Sequence, residues 1–334
     1  NQAKMYAELY RMLGWYSSSN DKSLIFTITE LGKYVAESNA DNEPVFKECI
    51  MGMADENEVI EKKDGLEMRP FKYFLNVSNE LGGKICKHEL IYGPYRYPDN
   101  KIKNAIADIL DVRGNYKKLL ANINKFSIES KIAQNTMENY TRFPISTLEY
   151  LGWFTKEKSS ELYPESKNMV VMTLTSKGEN DIKMYNSFKD IRIEEFNSFS
   201  SDIKKAIVRV AFAQQLKRMN IIDVSFNFDI EKELEIISKE FSNQIELLFS
   251  PYQMLNNDYV DGLLNVTKEY SSDVKPIEKN DLLKSVESYN KIIDEYVNSI
   301  GLRTMFYKET DSDKQKEIYK QIIALKDLPE QEII

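Results

Sequence analysis

Apolar residues are spaced as on the buried face of a helix just before each of two similar four-residue phrases. Residues 3–13 form one such run, which ends in Leu13-Gly14-Trp15-Tyr16. A second run over 127–151 ends in Leu151-Gly152-Trp153-Phe154. Apolar positions three and four residues apart are typical of a helix that buries one side. The pattern therefore predicts two helices, each ending at a Gly-aromatic turn.

Each phrase is followed by a polar stretch, a short alternating segment and a glycine. The segments are Phe26-Thr27-Ile28-Thr29 and Met172-Thr173-Leu174-Thr175, and the glycines are Gly32 and Gly178. Alternation predicts the returning strand of a hairpin, and a threonine can then cap the next helix. Internal repetition sets architecture before individual residues do. Helix, turn, hairpin and helix in this order indicate the C-terminal half of a winged-helix module.

A helix-turn-helix is predicted between the two copies. Pro70–Leu81 reads as a helix ended by Gly82-Gly83, and Lys84–Tyr92 reads as the first helix of the motif. Gly93-Pro94 and the turn over residues 95–100 then lead to a second helix, Lys101–Leu110. A plain helical hairpin with a solvated outer face is the alternative interpretation.

Beyond Gly178 the repeat ends and longer helical patterns begin. Asp202–Met219 predicts a helix with a basic edge, and Ile221–Phe228 alternates like a strand. Long amphipathic helices are predicted over Glu231–Phe249, Asp281–Ile300 and Asp313–Leu325. The expected fold is mainly α with small β-hairpins (α+β), with tandem winged-helix/helix-turn-helix modules and then a helical connector. The predicted modules are 1–40, 41–125, 126–200 and 201–334.

The charged residues are unevenly distributed along the chain, and this distribution bears on the expected partner. The net charge is −8, but residues 82–142 contain eleven basic and six acidic residues, a local charge of +5. A basic segment in an acidic chain indicates a polyanionic partner, although a chance fluctuation on a solvated surface is the alternative. Two cysteines and one histidine supply no metal or nucleophile pattern, so we expect no catalytic residue and no cofactor in this chain.

Location and termini give further expectations. The chain contains no apolar run of about eighteen residues, and its start at Asn1 has neither an initiator methionine nor a signal peptide. We therefore expect a cytoplasmic protein that makes no membrane contact and is cut at its N-terminus.

The residue types in and around the basic segment suit contacts with duplex DNA. In a helix-turn-helix the first turn of the second helix enters the major groove, and in a winged helix the helix before the hairpin reads the bases. Arginine can bond to guanine and asparagine to adenine, whereas lysine contacts phosphate. The predicted DNA-binding residues are Lys84, Lys87, His88, Tyr95, Arg96, Asn100, Lys101, Lys103, Asn104, Lys117, Lys118, Asn135, Asn139, Tyr140 and Arg142.

The order of these phrases over about residues 5–190 resembles the DNA-recognition region of type IIS restriction endonucleases of the FokI and AlwI kind, including their nicking relatives. The resemblance rests on the two Leu-Gly-Trp phrases with their Thr-x-Thr strands, on Leu81-Gly82-Gly83-Lys84, and on Tyr140-Thr141-Arg142-Phe143. It implies recognition of an asymmetric site in double-stranded DNA. It also implies a Mg²⁺-dependent nuclease domain of the PD-(D/E)xK type that cuts nearby.

The chain departs from this family because it shows no recognisable catalytic motif. We therefore expect a recognition fragment whose nuclease domain or subunit lies C-terminal to it, with Mg²⁺ bound only there. Two other hypotheses remain open. One is a non-enzymatic tandem winged-helix protein, such as a plasmid replication initiator or a transcription regulator. The other is a protein-interaction scaffold that binds no DNA.

Overall fold

The computed structural model describes most of the chain. The described residues are 2–17, 27–37, 42–54, 69–166, 168–221, 230–255, 259–265, 288, 290–298, 301–302, 305–306 and 309–325. Of these described residues 68% are helical, and they include a small antiparallel sheet, so the coarse α+β class is confirmed. None of the helices in these ranges is long and apolar enough to span a membrane.

Helices dominate the order of elements. The helices are α1 (Gln2–Met12), α2 (Glu30–Glu37), α3 (Glu43–Gly52), α4 (Pro70–Glu80), α5 (Lys87–Tyr92), α6 (Ile102–Val112), α7 (Tyr116–Ser130), α8 (Gln134–Tyr140), α9 (Arg142–Tyr150), α10 (Ser176–Ser187), α11 (Ile193–Ser198), α12 (Ser201–Arg218), α13 (Glu231–Glu240), α14 (Pro251–Met254) and a further helix, Ser312–Leu325. The strands are β1 (Lys84–Cys86), β2 (Phe154–Ser159), β3 (Met169–Leu174), β4 (Lys189–Asp190) and β5 (Leu247–Leu248). A 3-10 helix covers Asp99–Lys101, and residues 259–265 and 290–298 are also helical.

The chain divides into two compact units. Unit 1 contains the described residues of 1–49 and 189–334, and unit 2 contains the described residues of 50–188. Trp15 and its phrase belong to unit 1, whereas Trp153 and its phrase belong to unit 2. The two units do not follow the boundaries of the four predicted modules, which remain a prediction.

The two repeat phrases form the same structural corner, which we call the Gly-Trp corner. In each, a glycine with a left-handed backbone ends the helix, at Gly14 (φ 74°) and Gly152 (φ 67°). The threonine at the end of the returning segment closes the turn with its hydroxyl. Thr29 Oγ1 donates to Gly14 O at 2.7 Å, and Thr175 Oγ1 donates to Gly152 O at 2.7 Å. The internal repeat predicted from the sequence is therefore a repeat of geometry.

The same threonine also begins the next helix in both corners. Thr29 Oγ1 accepts from Gly32 N at 3.0 Å, and Thr175 Oγ1 accepts from Gly178 N at 3.1 Å. The cap predicted for Thr29 is confirmed and Thr175 forms the same cap, since the first amides of a helix have no partner within it. Each threonine hydroxyl thus joins the turn before the hairpin to the helix after it.

The sheet of unit 2 is antiparallel and has the strand order β1-β3-β2. The hairpin predicted after Trp153 is confirmed, with Phe154 opposite Leu174 and Ser159 opposite Met169. On its other side β3 pairs with β1, from Lys84 opposite Thr173 to Cys86 opposite Val171. A strand lying between α4 and α5 in sequence thus completes the sheet.

The prediction that Lys84–Tyr92 is helical is wrong for its first three residues. Lys84–Cys86 is a strand, and the helix begins at Lys87. The Glu89 carboxylate accepts from Cys86 N at 3.0 Å and so satisfies the amide that precedes the helix. This capping-box geometry fixes where the helix starts, while Ile85 and Cys86 remain buried in the sheet.

The helix region predicted over 127–151 is three helices rather than one. The long helix α7 ends at Ser130, because Lys131 has a left-handed backbone with φ 57°. A second break at Thr141 separates α8 from α9. Pro144 is the third residue of α9, where its missing N–H removes no intrahelical hydrogen bond. The proline therefore favours a helix start at this position.

In unit 1 the helix predicted over Asp313–Leu325 is confirmed as Ser312–Leu325, but another predicted long helix is wrong. Glu231–Phe249 is not one helix, because α13 ends at Glu240 and left-handed residues follow at Ser242 and Asn243. Leu247 and Leu248 form β5, parallel to β4. These two leucines are buried together with Phe249, and a short continuous apolar run is typical of a buried strand.

The helix predicted over Asp202–Met219 is confirmed as α12, but its basic edge is not a free surface. Lys204 is buried. Lys205 pairs with Asp294 at 2.5 Å, Arg209 pairs with Glu233, and Arg218 Nε donates to the buried Glu48 carboxylate at 2.9 Å. These cations therefore hold unit 1 together. All but the first residue of the predicted strand Ile221–Phe228, all but the first residue of the predicted hairpin tip Ser17–Ser23, and half of Asp281–Ile300 lie outside the described residues, whereas residues 290–298 are helical as predicted.

Candidate nucleic-acid interface

All fifteen predicted DNA-binding residues lie in unit 2, and α5 of the predicted helix-turn-helix contacts α8, which precedes the hairpin. Lys87 of α5 pairs with Glu138 of α8 at 2.6 Å. Tyr95, in the turn after α5, donates from its hydroxyl to Tyr140 O at 2.9 Å, at the end of α8. The helix-turn-helix segment and the helices before the hairpin are thus parts of one structure.

The first group of exposed residues lies at the start of α6. Ala105, Ile109 and Val112 face the core and are fully buried, so the opposite side of the helix faces solvent. Four predicted residues are exposed there: Asn100, Lys101, Lys103 and Asn104. Neither lysine has an ion pair or hydrogen bond with another described residue. This part of the predicted site is available to a ligand.

The second group lies where α8 meets α9, and we call it the α8–α9 corner. Met137 is buried beneath it, while four predicted residues are exposed on it: Asn135, Asn139, Tyr140 and Arg142. No described residue forms a hydrogen bond with the side-chain amide of Asn139 or with the guanidinium of Arg142. Lys117, on α7, is likewise exposed and without an ion pair in the described part of the chain.

Arg96 is held inside unit 2 rather than presented to a ligand. Its Nη1 pairs with Asp108 Oδ2 at 2.7 Å, and Tyr97 donates to the same oxygen at 2.7 Å. The guanidinium also lies 4.5 Å from the Tyr92 ring centre and 5.1 Å from that of Tyr97. The bidentate contact with guanine predicted for Arg96 would have to break this pair.

Three of the predicted lysines are also paired with carboxylates. Lys84 pairs with Glu161, Lys87 with Glu138, and Lys118 with Asp111. Such partly exposed pairs contribute about 0–1 kcal/mol each, so a phosphate could replace the carboxylate. Lys101, Lys103 and Lys117 need no such exchange, and they are the stronger candidates for phosphate contacts.

His88 is half-buried beside the Tyr116 ring, and burial lowers its pKa below the ordinary value of 6.5. The positive charge of Lys87 acts in the same direction, whereas Glu138, 3.8 Å away, opposes it. Burial therefore favours the neutral imidazole over the charged one. A cationic contact between His88 and phosphate, as expected from the sequence, is disfavoured.

A proton NMR titration should give the His88 ring a pKa below 6.5. Because this is the only histidine of the chain, its ring signals need no assignment. The unfolded chain takes up the proton first as the pH falls, so stability should fall from pH 6.5 down to the folded-state pKa. His88→Gln should lack this part of the pH dependence. A ring pKa at or above 6.5 would contradict burial as the dominant cause.

A buried network supports the surface and was missed by the sequence analysis. The Glu89 carboxylate is fully buried and accepts from Arg113 Nε at 2.9 Å and from the Tyr163 hydroxyl at 2.9 Å. Arg113 also donates to the backbone oxygens of Leu81 and Lys84 at 3.0 and 2.6 Å. The one available signal was a glutamate beside the apolar residues Leu90 and Ile91.

The loop between β2 and β3 folds back onto the helices. Leu162 and Tyr163 are buried in the same core as Ile91 and Leu119, and Gly114 N donates to Leu162 O at 2.9 Å. From the sequence, a wing tip at this place could contact phosphate or nothing at all. The apolar residues of the loop anchor it to the core. Lys156 pairs with Glu149, Lys158 is exposed on β2, and Lys167 lies outside the described residues.

Neither cysteine is placed as a nucleophile. Cys49 and Cys86 are both free and buried, and burial raises the pKa of Cys49 to about 12 and that of Cys86 further. In the described parts of the chain, no three His, Cys, Asp or Glu side chains are grouped so that they could hold a metal ion. No protein-family model matches the chain, and no curated protein matches it.

Proposed function

We propose that this chain recognises a short sequence in double-stranded DNA, as the recognition part of a type IIS restriction or nicking endonuclease. The observation that carries the proposal is the pair of exposed groups in unit 2. Amide and cationic side chains without hydrogen-bond or ion-pair partners among the described residues lie at the start of α6 and at the α8–α9 corner, and α5 with the turn after it contacts α8. The nuclease domain and its Mg²⁺ would then belong to a separate domain or subunit.

The connectivity of unit 2 supports the same proposal. The order α4, β1, α5, then α9, β2, β3, with β1 paired to β3, agrees with our proposal of a winged helix, in which α6, α7 and α8 would be insertions. In a winged helix the helix before the hairpin faces the bases, which here is α9. Fold alone does not establish function, so the exposed side chains carry the argument.

The two kinds of exposed side chain suggest a division of roles. Lys101, Lys103 and Lys117 are point charges suited to phosphates, which fix position and supply affinity. Asn104, Asn139 and Arg142 have the planar donor and acceptor groups that distinguish one base from another. On this division, lysine variants weaken binding to every sequence and amide variants relax the preference at one position.

Two alanine variants test this division after the preferred site has been selected from a randomised duplex pool at moderate salt with Mg²⁺ present. Lys103→Ala should weaken binding to all duplexes and reduce the salt slope of binding by about one. Asn139→Ala should keep the slope and reduce discrimination at one base pair by about 1–3 kcal/mol. Equilibrium binding at four salt concentrations measures both effects.

Lys183→Ala is the matched control, because Lys183 is exposed on α10 of the same unit. It should leave affinity and slope nearly unchanged if the interface is local. Identical behaviour of the Lys103 and Asn139 variants would contradict the division of roles. Absence of binding above a scrambled duplex would remove the DNA proposal altogether. An enriched palindromic site bound by a dimer would favour a non-enzymatic regulator.

A further inference from the structure

The α8–α9 corner exposes an aromatic ring on a fixed backbone. The Tyr140 side chain is 56% exposed, and its backbone oxygen accepts from the Tyr95 hydroxyl at 2.9 Å. The next residue, Thr141, is fully buried, and its hydroxyl donates to Glu138 O at 2.8 Å. The backbone of Tyr140 and the residue after it are therefore anchored, while the side chain of Tyr140 is largely exposed to solvent.

The Tyr140 ring has no stacking partner and no hydrogen bond to its hydroxyl among the described residues. This contrasts with Tyr95, whose ring lies 5.9 Å from that of Phe74, and with Tyr116, whose ring lies 5.6 Å from that of Tyr163. An aromatic side chain left largely in water gives up the stabilisation that burial would supply. The position of Tyr140 is thus not explained by the packing of unit 2.

The neighbours of Tyr140 indicate the chemistry of what would cover it. Asn139 and Arg142 are exposed on the same corner, and both can bond to base edges. Arg142 also supplies positive charge, and the basic segment of residues 82–142 ends at this position. An aromatic face beside a cation and an amide is a combination that binds nucleobases by stacking.

An intact duplex offers base edges in its grooves, whereas the faces of the bases are stacked on each other. A tyrosine face can therefore be used only where a base step opens. We propose that Tyr140 stacks on a base that leaves the helical stack when the chain binds its site, so that the bound DNA is distorted at the α8–α9 corner. This inference rests on the proposed recognition of duplex DNA.

The test compares a perfect duplex of the selected site with duplexes that carry one mispaired or abasic position, moved through the site one step at a time. At one step the wild-type chain should bind the weakened duplex about tenfold more tightly than the perfect one, because opening has already occurred. A 2-aminopurine placed next to the displaced base in the perfect duplex should brighten on binding, since it loses a stacked neighbour and with it part of its quenching.

Two substitutions at Tyr140 distinguish an effect of stacking on the aromatic ring from an effect of the size of an apolar side chain. Tyr140→Phe keeps the face and should retain the preference and the fluorescence change. Tyr140→Leu is of similar size without a face and should lose both, binding the perfect and weakened duplexes within about twofold of each other if stacking is the source. Ile128→Ala, at another exposed apolar side chain of unit 2 (72% exposed), serves as the surface control and should behave like wild type.

Equal behaviour of Tyr140→Leu and Tyr140→Phe would overturn the stacking role. Sequence-specific binding with no preference for any weakened step and no fluorescence change would also overturn it, while the proposed function would stand. Failure of the wild-type chain to bind any duplex would remove both. The unfolding midpoint of each variant, expected to equal that of the wild type because the ring is exposed, excludes misfolding as the cause.

Discussion

Replacing Arg113 by methionine should lower the free energy of unfolding of unit 2 by about 3–5 kcal/mol. The substitution leaves the Glu89 carboxylate fully buried without its cation. It also removes the donors to the backbone oxygens of Leu81 and Lys84. Removing one partner of a buried ion pair is costly because the remaining charge cannot be solvated. Urea unfolding measured through Trp153 fluorescence reports this loss.

Each unit contains one tryptophan, which allows the effect to be assigned. In a Trp15→Phe background the fluorescence of Trp153 reports unit 2 alone. Arg142→Ala removes an exposed arginine from the same unit and should change stability by less than about 0.5 kcal/mol. The double variant Glu89→Gln/Arg113→Met should recover part of the loss, because a neutral amide tolerates burial better than a carboxylate. A loss of less than about 1 kcal/mol for Arg113→Met would show that Glu89 does not depend on its partner.

Adding one methyl group at Gly32 should destabilise unit 1 by about 3 kcal/mol. A Cβ at this position would lie 2.2 Å from Trp15 O and 2.9 Å from a methyl carbon of Ile28. The helix would have to move away from the Gly-Trp corner, which breaks the bond from Gly32 N to Thr29 Oγ1. Urea unfolding followed by the fluorescence of Trp15, in a Trp153→Phe background, measures the effect.

The second corner provides an internal replicate of this prediction. At Gly178 a Cβ would lie 2.6 Å from a methyl carbon of Leu174 and 2.7 Å from Trp153 O, so Gly178→Ala should destabilise unit 2 by about 1–3 kcal/mol. Gly301→Ala is the control, because no atom lies within 4 Å of the added carbon. If both corner variants matched Gly301→Ala in stability, the close approach of helix and turn would be disproved.

The parts predictable from sequence were those set by local chemistry. The two Leu-Gly-Trp phrases and their threonines predicted the corners, because a left-handed glycine and a capping hydroxyl are requirements of single residues. The hairpin over 154–174 and the helix α12 followed from alternation and from helical spacing. In each case a few neighbouring positions determine the structure.

The parts that sequence did not predict depend on partners far along the chain. Lys84–Cys86 is a strand because it pairs with β3, which lies more than eighty residues later in the sequence. Leu247 and Leu248 leave the helical pattern because β4 pairs with them. The burial of Tyr163 depends on a carboxylate at Glu89. Propensity yields to such tertiary pairing, and a single sequence does not show it.

The candidate site shows the same division between local and distant determinants. Helical spacing was sufficient to place Lys103 and Asn104 on the outer side of α6. It did not show that Asp108, one turn further along that helix, forms an ion pair with Arg96. Nor did it show that Lys87 pairs with Glu138, which is fifty-one residues away in the sequence. Counting basic residues therefore overstated how many cations are available to a polyanion.

Unit 1 consists of two stretches that are far apart in the sequence, so it cannot be completed until the second stretch has been translated. Residues 13, 30 and 48 bond to residues 253, 261 and 218. At about 5–20 residues per second, translation of residues 189–334 takes roughly 7–30 s after unit 2 has been made. During that interval all partners of the Gly-Trp corner at Trp153 have been synthesised. The corner at Trp15 still lacks Tyr252 and Gln253, which are translated later. The nascent chain would then carry a finished unit 2 beside an unfinished unit 1, and chaperone binding should concentrate on the first fifty residues.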